Sequence, residues 1–223
     1  MNPETNVASS AADNVANARG PVPVRIRRLL KPDGSEVGRS FAALAENLGA
    51  LERTARSVVV TGPERGVGRT TVCLGLGSAL AGAGKKVTVV DCNLDRPHLH
   101  GCFGWPNFTG LTSALEGSRD LEGYGFEVAP NLRVIPTGPV LSSSKALAKS
   151  PRFVEVVQAL RGKRDVVLLD APVVSKVLAA PNLWGYFDGV LLVVHASRTP
   201  KGVARGFIDD LLDARINLLG VVL

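Results

Sequence analysis

The sequence is poor in aromatic residues and in cysteine. Trp, Tyr and Phe make up only 5% of its 223 residues, and no basic segment alternates with aromatics. The stacking platform that single-stranded nucleic acids require is therefore not predicted, and we expect no nucleic-acid partner. The three cysteines, Cys73, Cys92 and Cys102, form no disulfide framework of the secreted type, which agrees with a reducing compartment.

Long apolar runs and a secretory signal are also missing. No run reaches the roughly 18 residues that a bilayer span needs, and the start MNPETNVASSAADNVANARG is polar. We therefore expect a cytoplasmic protein. The net charge of +6, from 26 basic and 20 acidic residues, favours anionic partners without identifying one.

Composition divides the chain into three parts. Residues 1–22 are rich in Ala, Asn and Ser and are expected to form a disordered arm, because they offer little apolar surface to bury. Residues 23–56 hold the basic segment VPVRIRRLLKPDG and a first helix over residues 40–52. The basic segment is interpreted as a solvated linker, with docking to a partner or to an anionic membrane leaflet as the alternative. Residues 57–223 form the main domain.

Within the main domain, apolar runs alternate with longer amphipathic stretches, which is typical of βαβ units around a parallel sheet. The predicted fold class is α/β, a P-loop NTPase-like three-layer sandwich around a mostly parallel central sheet. The strands are expected to be covered on both faces, because they are uniformly apolar. They are predicted at 57–61, 86–91, 132–137, 165–170, 189–196 and 217–223, with helices near 70–83, 110–116, 144–161, 177–184 and 200–213.

The segment TGPERGVGRTT follows a predicted strand and leads into a predicted helix, which is the layout of a phosphate-binding loop. Gly66 and Gly68 would let backbone N–H groups turn towards phosphate oxygens, and the helix start would add its positive end. The hydroxyl of Thr70 would reach Mg²⁺. A glycine turn without any ligand is the alternative interpretation.

Two aspartates end predicted strands of the same domain. Asp91 closes the strand KVTVVD and Asp170 closes DVVLLD. The carboxyl ends of parallel strands meet at one edge of the sheet, where α/β proteins bind ligands. Carboxylates at that edge can hold Mg²⁺ directly or through its waters, although each aspartate could instead serve only as a helix cap.

The order of TGPERGVGRTT, VVDCNLDRPHLHGCFGWPNFTGLTSAL, SPRFVEVVQALRGKRDVVLLDAP and GVLLVVHASRTPKG resembles the cytoplasmic ATPase domain of bacterial tyrosine kinases that regulate capsule and exopolysaccharide export. That family belongs to the deviant-Walker class of P-loop proteins, which includes the partition and division-site ATPases. The resemblance runs from about residue 41 to residue 223. It matches residues 62–71 to Walker A, 91–97 to Walker A′ and 170–172 to Walker B.

The resemblance implies ATP or ADP with Mg²⁺ as the ligand. It gives catalytic positions to Asp91 and Asp170, and these two residues with Thr70 would hold the metal. It also implies an inner-membrane polysaccharide co-polymerase as the partner, which would keep the chain peripherally at the inner membrane. The residues that would bind the nucleotide are Gly62, Gly66, Val67, Gly68, Arg69, Thr70 and Thr71.

Three positions depart from the expected motifs. Pro63 occupies the first glycine position of the general loop pattern, and Arg69 stands where the family has lysine. The planar guanidinium can pair with phosphate oxygens, but it is not the compact charge around which the loop is shaped. Asn93 replaces the second aspartate of Walker A′ and cannot ionise. We therefore expect impaired phosphoryl transfer and nucleotide binding that is weak or lost.

The sequence also departs from the family in the segments that serve as the kinase substrate and that form the ring. No tyrosine-rich tail is visible, and the two tyrosines, Tyr124 and Tyr186, are expected far apart inside the fold. Ala42 and Ala45 fall at the arginine positions of the family's ring-forming helix, so assembly by that route is not expected. A homo-oligomer that forms through another surface is kept as an alternative.

The segment CNLDRPHLHGC places Cys92, His98, His100 and Cys102 close together, and such a set can bind zinc. A structural role is the preferred interpretation, because the family has a proline followed by a leucine-histidine pair at this place. Only Mg²⁺ is therefore predicted as a metal.

Three functions fit these observations. The preferred prediction is a degenerate tyrosine-kinase-like ATPase domain that regulates exopolysaccharide or capsule synthesis with a membrane co-polymerase. The alternatives are an active ATP-binding tyrosine autokinase of the same pathway and an ATPase switch of the partition or pilus-localisation type.

Overall fold

A computed structural model describes residues 23–30, 34–50, 55–117, 121–139 and 150–223. The predicted disordered arm, residues 1–22, lies outside the described residues. The same holds for residues 144–149 of the predicted helix 144–161 and for residues 51 and 52 of the predicted first helix.

The described chain alternates strands and helices along most of its length. The strands are Ser57–Thr61 (β1), Val87–Asp91 (β2), Phe126–Ala129 (β3), Leu132–Ile135 (β4), Val166–Asp170 (β5), Gly189–Val193 (β6) and Leu218–Val222 (β7). The helices are Val24–Leu29 (α1), Glu36–Gly49 (α2), Arg69–Gly82 (α3), Leu99–Cys102 (α4), Leu111–Glu116 (α5), Pro151–Arg161 (α6), Val174–Leu178 (α7), Pro181–Trp184 (α8) and Lys201–Asp213 (α9). A 3₁₀ turn covers Leu121–Tyr124.

One sheet contains all seven strands in the order β3-β4-β2-β5-β1-β6-β7. Neighbouring strands run parallel except for the edge pair β3 and β4, which is antiparallel. Parallel strands need crossover connections, and the intervening helices supply them. The predicted α/β class with a mostly parallel sheet is confirmed.

Two apolar cores lie on opposite faces of the sheet. Val58 and Val60 of β1 belong to the core that also contains α2 and α3, whereas Val59 belongs to the core with α6, α7 and α9. Successive strand residues point to opposite faces, so a strand buried on both sides must be apolar throughout. The all-valine centre of β1 satisfies that requirement. The sheet and the helices on its two faces form a three-layer sandwich.

Helix α2 packs directly on α3 through a glycine. A Cβ atom on Gly75 would lie 2.3 Å from the ring of Phe41, so only glycine lets the two helices approach this closely. Helix α2 begins earlier than the predicted residue 40, because Ser35 caps it by accepting a hydrogen bond from the N–H of Gly38 at 3.1 Å.

The sequence did not predict helix α1, helix α4, the 3₁₀ turn or strand β3. Strand β3 forms a hairpin with β4 around Asn131, whose φ of 63° is left-handed. Helix α1 occupies the basic segment, where its residue Ile26 is buried against the α2–α3 core. No helix within the described ranges combines the length and the apolar character that a membrane span requires.

Candidate functional site

The loop between β1 and α3 has the backbone of a phosphate cradle. Gly66 and Gly68 have φ values of 76° and 103°, a left-handed conformation that favours glycine. Gly62 is confined in a different way, because a Cβ atom there would lie 2.5 Å from the carbonyl oxygen of Val193. All three glycines are therefore required by the path of the loop.

The loop is tied to the segment that follows β5. The hydroxyl of Thr61 donates to the carbonyl oxygen of Pro172 at 2.6 Å, and the N–H of Val174 donates to the carbonyl oxygen of Gly62 at 2.9 Å. Helix α7 begins at Val174. These two bonds set the position of α7 relative to the cradle.

Arg69 is the first residue of α3 and points back along the loop rather than into solvent. Its Cγ atom lies 3.6 Å from the Cβ position that Gly62 lacks, and its Nη1 atom is buried without a hydrogen-bond partner among the described residues. Burial lowers the pKa of the Arg69 guanidinium, and the nearby Asp170 opposes that shift. A buried, unsatisfied N–H donor costs free energy that an anionic acceptor would recover.

Thr70 and Asp170 meet on the floor of the site. The Thr70 hydroxyl donates to Oδ2 of Asp170 at 2.5 Å. Burial and the neighbouring Asp91 together raise the pKa of Asp170 to about 7, although Thr70 and Arg69 act in the opposite direction. These two side chains place oxygens of the types that Mg²⁺ prefers next to each other.

Asp91 lies beside Asp170 in the register of β2 and β5 but makes different bonds. Its Oδ1 atom accepts from the N–H of Asn93 at 3.1 Å, and its Oδ2 atom accepts from the N–H groups of His98 and Leu99 at 3.0 Å each. Burial raises the pKa of Asp91, and these three backbone bonds lower it. The carboxyl group therefore organises the loop that follows β2.

A cleft of about 800 Å³ opens above these residues. The cradle, the loop after β2, the start of α7 and the helix α1 form its walls. Basic side chains dominate the lining, and Asp95 is its one carboxylate within the described residues. Asp95 forms an ion pair with Lys176 of α7 across the cleft. The lining is thus suited to a polyanion.

The remaining predicted site residues are distributed as follows. Thr71 lines the cleft, as does the amide-bearing Asn93. The side chain of Val67 is buried in the core on the α2–α3 face of the sheet, so only its backbone can serve a ligand.

Of the four residues considered as an alternative zinc set, His98 and Cys102 line the same cleft. Cys92 is buried, whereas His98 is exposed. Burial raises the pKa of Cys102 to about 11, which disfavours the thiolate that zinc requires. Across the described ranges, no group of three or more His, Cys, Asp or Glu residues is arranged to hold a metal ion.

Tyr186 was expected inside the fold, and that expectation is wrong. Its side chain is 60% exposed in the turn after α8, because Trp184 and Phe187 fill the core position beside it. Tyr124 is half-buried against the same core.

Sequence reasoning missed several residues that line the cleft. Lys176, Asp95 and Arg25 all line it, although none was singled out as a ligand-binding residue. Asp95 lies inside the predicted Walker A′ segment, and Lys176 follows Asp170 by six positions. The only available signal was the proximity of both residues to the strand-ending aspartates.

The residues present fit a nucleotide polyphosphate. The glycine cradle supplies backbone N–H groups, and the buried Nη1 of Arg69 has no acceptor within the described residues. Thr70 and Asp170 fit Mg²⁺, while the oxygens of Asp91 already accept three backbone hydrogen bonds. The catalytic roles of Asp91 and Asp170 stay a prediction.

A protein-family model described as the cellulose biosynthesis protein BcsQ matches residues 55–200 of the chain. EpsB of Ralstonia solanacearum is 36% identical over 166 residues, which are 74% of this chain and 22% of EpsB. The chain therefore spans 22% of the length of the first curated relatives that it matches. The tyrosine-protein kinase YwqD of Bacillus subtilis is 29% identical over 175 residues, 78% of this chain and 74% of YwqD.

Solved structures show the same fold. The kinase domain of VpsO superposes with a TM-score of 0.74 at 27% identity, covering 83% of this chain and 94% of that one. The chimerical protein CapA2B2 gives a TM-score of 0.80 at 23% identity over 96% and 97% of the two chains, a likeness of fold alone. MinD of Pyrococcus horikoshii in complex with Mg-ADP gives 0.56 at 26% identity over 76% and 70%. The predicted P-loop fold and the resemblance to bacterial tyrosine kinases are confirmed.

Proposed function

The chain belongs to the family of the cellulose biosynthesis protein BcsQ, and from that premise we propose that it is a tyrosine-kinase-like regulatory domain that binds ATP or ADP. In this proposal it controls the synthesis or export of a bacterial surface polysaccharide and performs little phosphoryl transfer itself. The similarity to YwqD and to the VpsO kinase domain supports the kinase-like part of the proposal.

The observation that carries the proposal is the environment of Arg69. Its guanidinium lies inside the loop, where Nη1 has no partner within the described chain, and it therefore offers a donor to a phosphate oxygen. Phosphoryl transfer works mainly through positioned positive charge that follows the developing charge on the phosphate. A planar guanidinium that is partly buried in the loop near Asp170 is poorly placed to follow that charge, so we expect nucleotide binding to be retained better than phosphoryl transfer.

The part of the site that would bind Mg²⁺ also carries less negative charge than the family pattern implies. Thr70 and Asp170 would hold Mg²⁺, whose positive charge would stabilise the phosphate oxygens when it is bound. Asn93 offers a neutral amide where a second carboxylate would supply charge or accept a proton. The carboxyl group of Asp91 is engaged by the loop backbone, which supports a structural role for this residue.

The partner in this proposal is a membrane polysaccharide co-polymerase, which would hold the chain peripherally at the inner membrane. The exposed apolar residues Val24 and Val37, 65% and 57% exposed, lie near Arg25 and Arg28 and support a docking surface on α1 and α2. Ala45 is buried in the core, which argues against self-assembly through the arginine positions of the family.

An active ATPase or autokinase of the same pathway is the second candidate. The intact contact between Thr70 and Asp170 favours it, because these are the residues expected to hold the metal. A positional ATPase switch has weaker support, since the likeness to MinD has a TM-score of 0.56 against 0.74 for the VpsO kinase domain.

Isothermal titration calorimetry with ATP and ADP, each with and without Mg²⁺, tests the proposal. We expect both nucleotides to bind and AMP to bind far more weakly, because the loop recognises phosphates. Arg69→Ala should weaken the binding of both nucleotides. A natural protein that binds neither ATP nor ADP would contradict the proposal.

A further inference from the structure

We propose that Lys176 is a specificity-determining residue for the terminal phosphate of ATP and that Asp95 forms an ion pair with Lys176 while ATP is absent. The proposal rests on the nucleotide-binding function proposed above and adds a recognition element to the same site. In this arrangement the ion pair between Asp95 and Lys176 opens when the terminal phosphate takes the place of the Asp95 carboxylate.

The backbone positions of both residues are set by the site itself. Lys176 lies on α7, whose first residue, Val174, donates to the carbonyl oxygen of Gly62 in the cradle. Asp95 lies on the loop whose amides bind the carboxyl group of Asp91. Because each anchor belongs to the site, the two side chains meet over the cleft and not at an arbitrary point of the surface.

The charges of the lining give the pair a function. Arg25, Arg65, Arg69 and Arg96 line the cleft with Lys176, whereas Asp95 is the one carboxylate among the lining residues that the structure describes. An exposed carboxylate at the mouth of an anion site opposes the ligand unless a cation neutralises it. Pairing with Lys176 neutralises Asp95 and keeps the lysine directed across the cleft.

Lys176 should bind the terminal phosphate of ATP more strongly than it binds the Asp95 carboxylate. The side chains of Lys176 and Asp95 are 45% and 25% exposed, so water and salt weaken their mutual attraction. A terminal phosphate inside the cleft carries more charge than one carboxylate and accepts charge-assisted hydrogen bonds. Lysine suits this task, because its ammonium group sits on a flexible stem and can change acceptors.

The two halves of the pair therefore have opposite effects on ATP binding. We expect Lys176→Met to weaken the affinity for ATP about tenfold, the size typical of losing one charge-assisted contact. The affinity for ADP should change by less than about threefold, because ADP lacks the terminal phosphate. Asp95→Asn should strengthen ATP binding about threefold, since an exposed ion pair contributes little and its release costs little.

The double variant separates this mechanism from simple charge repulsion. If Asp95 acts by holding Lys176, then Asp95→Asn raises the ratio of ATP to ADP affinity in the natural background but leaves that ratio unchanged beside Lys176→Met. If Asp95 instead acts only by repelling the nucleotide, Asp95→Asn changes the ratio equally in both backgrounds. Lys86 is exposed and directly precedes β2, at the opposite end of the sheet from the cleft, so Lys86→Met removes one positive charge and serves as the matched control.

The experiment is calorimetry of the full chain with Mg-ATP and Mg-ADP for the natural protein, both single variants, the double variant and the control. Unchanged thermal unfolding temperatures establish that each variant is folded. A rise in the ratio of ATP to ADP affinity from Asp95→Asn that persists beside Lys176→Met, or equal ATP affinities in all variants, would overturn the inference and leave the proposed function intact. A failure of every protein to bind nucleotide would overturn both.

Discussion

Asp91 and Asp170 occupy paired register positions at the carboxyl ends of β2 and β5, yet their carboxyl groups have different partners. Asp91 accepts three backbone N–H groups from the loop that follows it. Asp170 accepts the hydroxyl of Thr70 in the phosphate loop. Two residues that are equivalent in the sheet therefore support different parts of the site, Asp91 the loop after β2 and Asp170 the phosphate loop.

The buried Asp170 should make the ligand-free protein less stable as the pH rises. Its pKa is raised from 3.8 to about 7, so between these values the folded state binds a proton that the unfolded state has released. The stability that this group contributes below about pH 4 is therefore lost progressively as the pH rises to about 7 and changes little above it. Asp170→Asn should stabilise the protein more at pH 8 than at pH 5, by about 3 kcal/mol.

Chemical denaturation at pH 5, 6, 7 and 8 measures this effect. The matched control is Asp213→Asn at the exposed end of α9, where no comparable change with pH is expected. A difference between Asp170→Asn and the natural protein that stays constant over this range would show that burial of Asp170 does not control the pH dependence.

The hydroxyl of Thr70 should be needed for the response to Mg²⁺. Thr70→Val keeps the shape of the side chain but removes the hydroxyl that lies 2.5 Å from Asp170. We expect Mg²⁺ to strengthen ADP binding in the natural protein and in Thr70→Ser. In Thr70→Val, the factor by which Mg²⁺ increases the affinity for ADP should be about ten times smaller. Calorimetry with Mg²⁺ or EDTA measures the response, and an equal response in all three proteins would disprove the role of Thr70.

The contact between Gly75 and Phe41 should control the docking of α2 on α3. Gly75→Ala places a methyl group 2.3 Å from the ring of Phe41, which should destabilise the protein by about 1–3 kcal/mol. Gly206→Ala on α9 meets no atom within 4 Å and should stabilise it by about 0.5–1 kcal/mol. Denaturant unfolding compares the two variants.

Shortening the facing side chain provides the check on that contact. Phe41→Leu combined with Gly75→Ala should recover part of the lost stability, because the methyl group then has space. If the double variant is less stable than the sum of the two single effects predicts, then close packing of α2 on α3 is not the cause.

The sequence was sufficient for the parts of the fold that depend on burial. Apolar runs such as the one in β1 can exist only inside a sheet that is covered on both faces, and the ends of parallel strands bring Asp91 and Asp170 together. Strand β3 was missed because its four residues alternate only weakly and are half exposed. Short edge strands give little periodic signal.

The contacts within the site could not be predicted in the same way. Periodicity tells which face a side chain takes, but the loop after β2 decides that Asp91 binds the N–H groups of His98 and Leu99. The pairing of Asp95 with Lys176 joins the loop after β2 to helix α7, which is distant in sequence, and no spacing rule connects them. Such contacts depend on the path of the backbone after each strand.

The central claim is that the site holds a nucleotide but transfers phosphate poorly because of Arg69 and Asn93. Steady-state ATP hydrolysis of the natural protein, Arg69→Lys, Asn93→Asp and the double variant measures it directly. We expect turnover close to background in the natural protein, little recovery in either single variant, and a rise of about 10² to 10³ in the double variant. Robust turnover by the natural protein that disappears in Arg69→Ala would contradict the account.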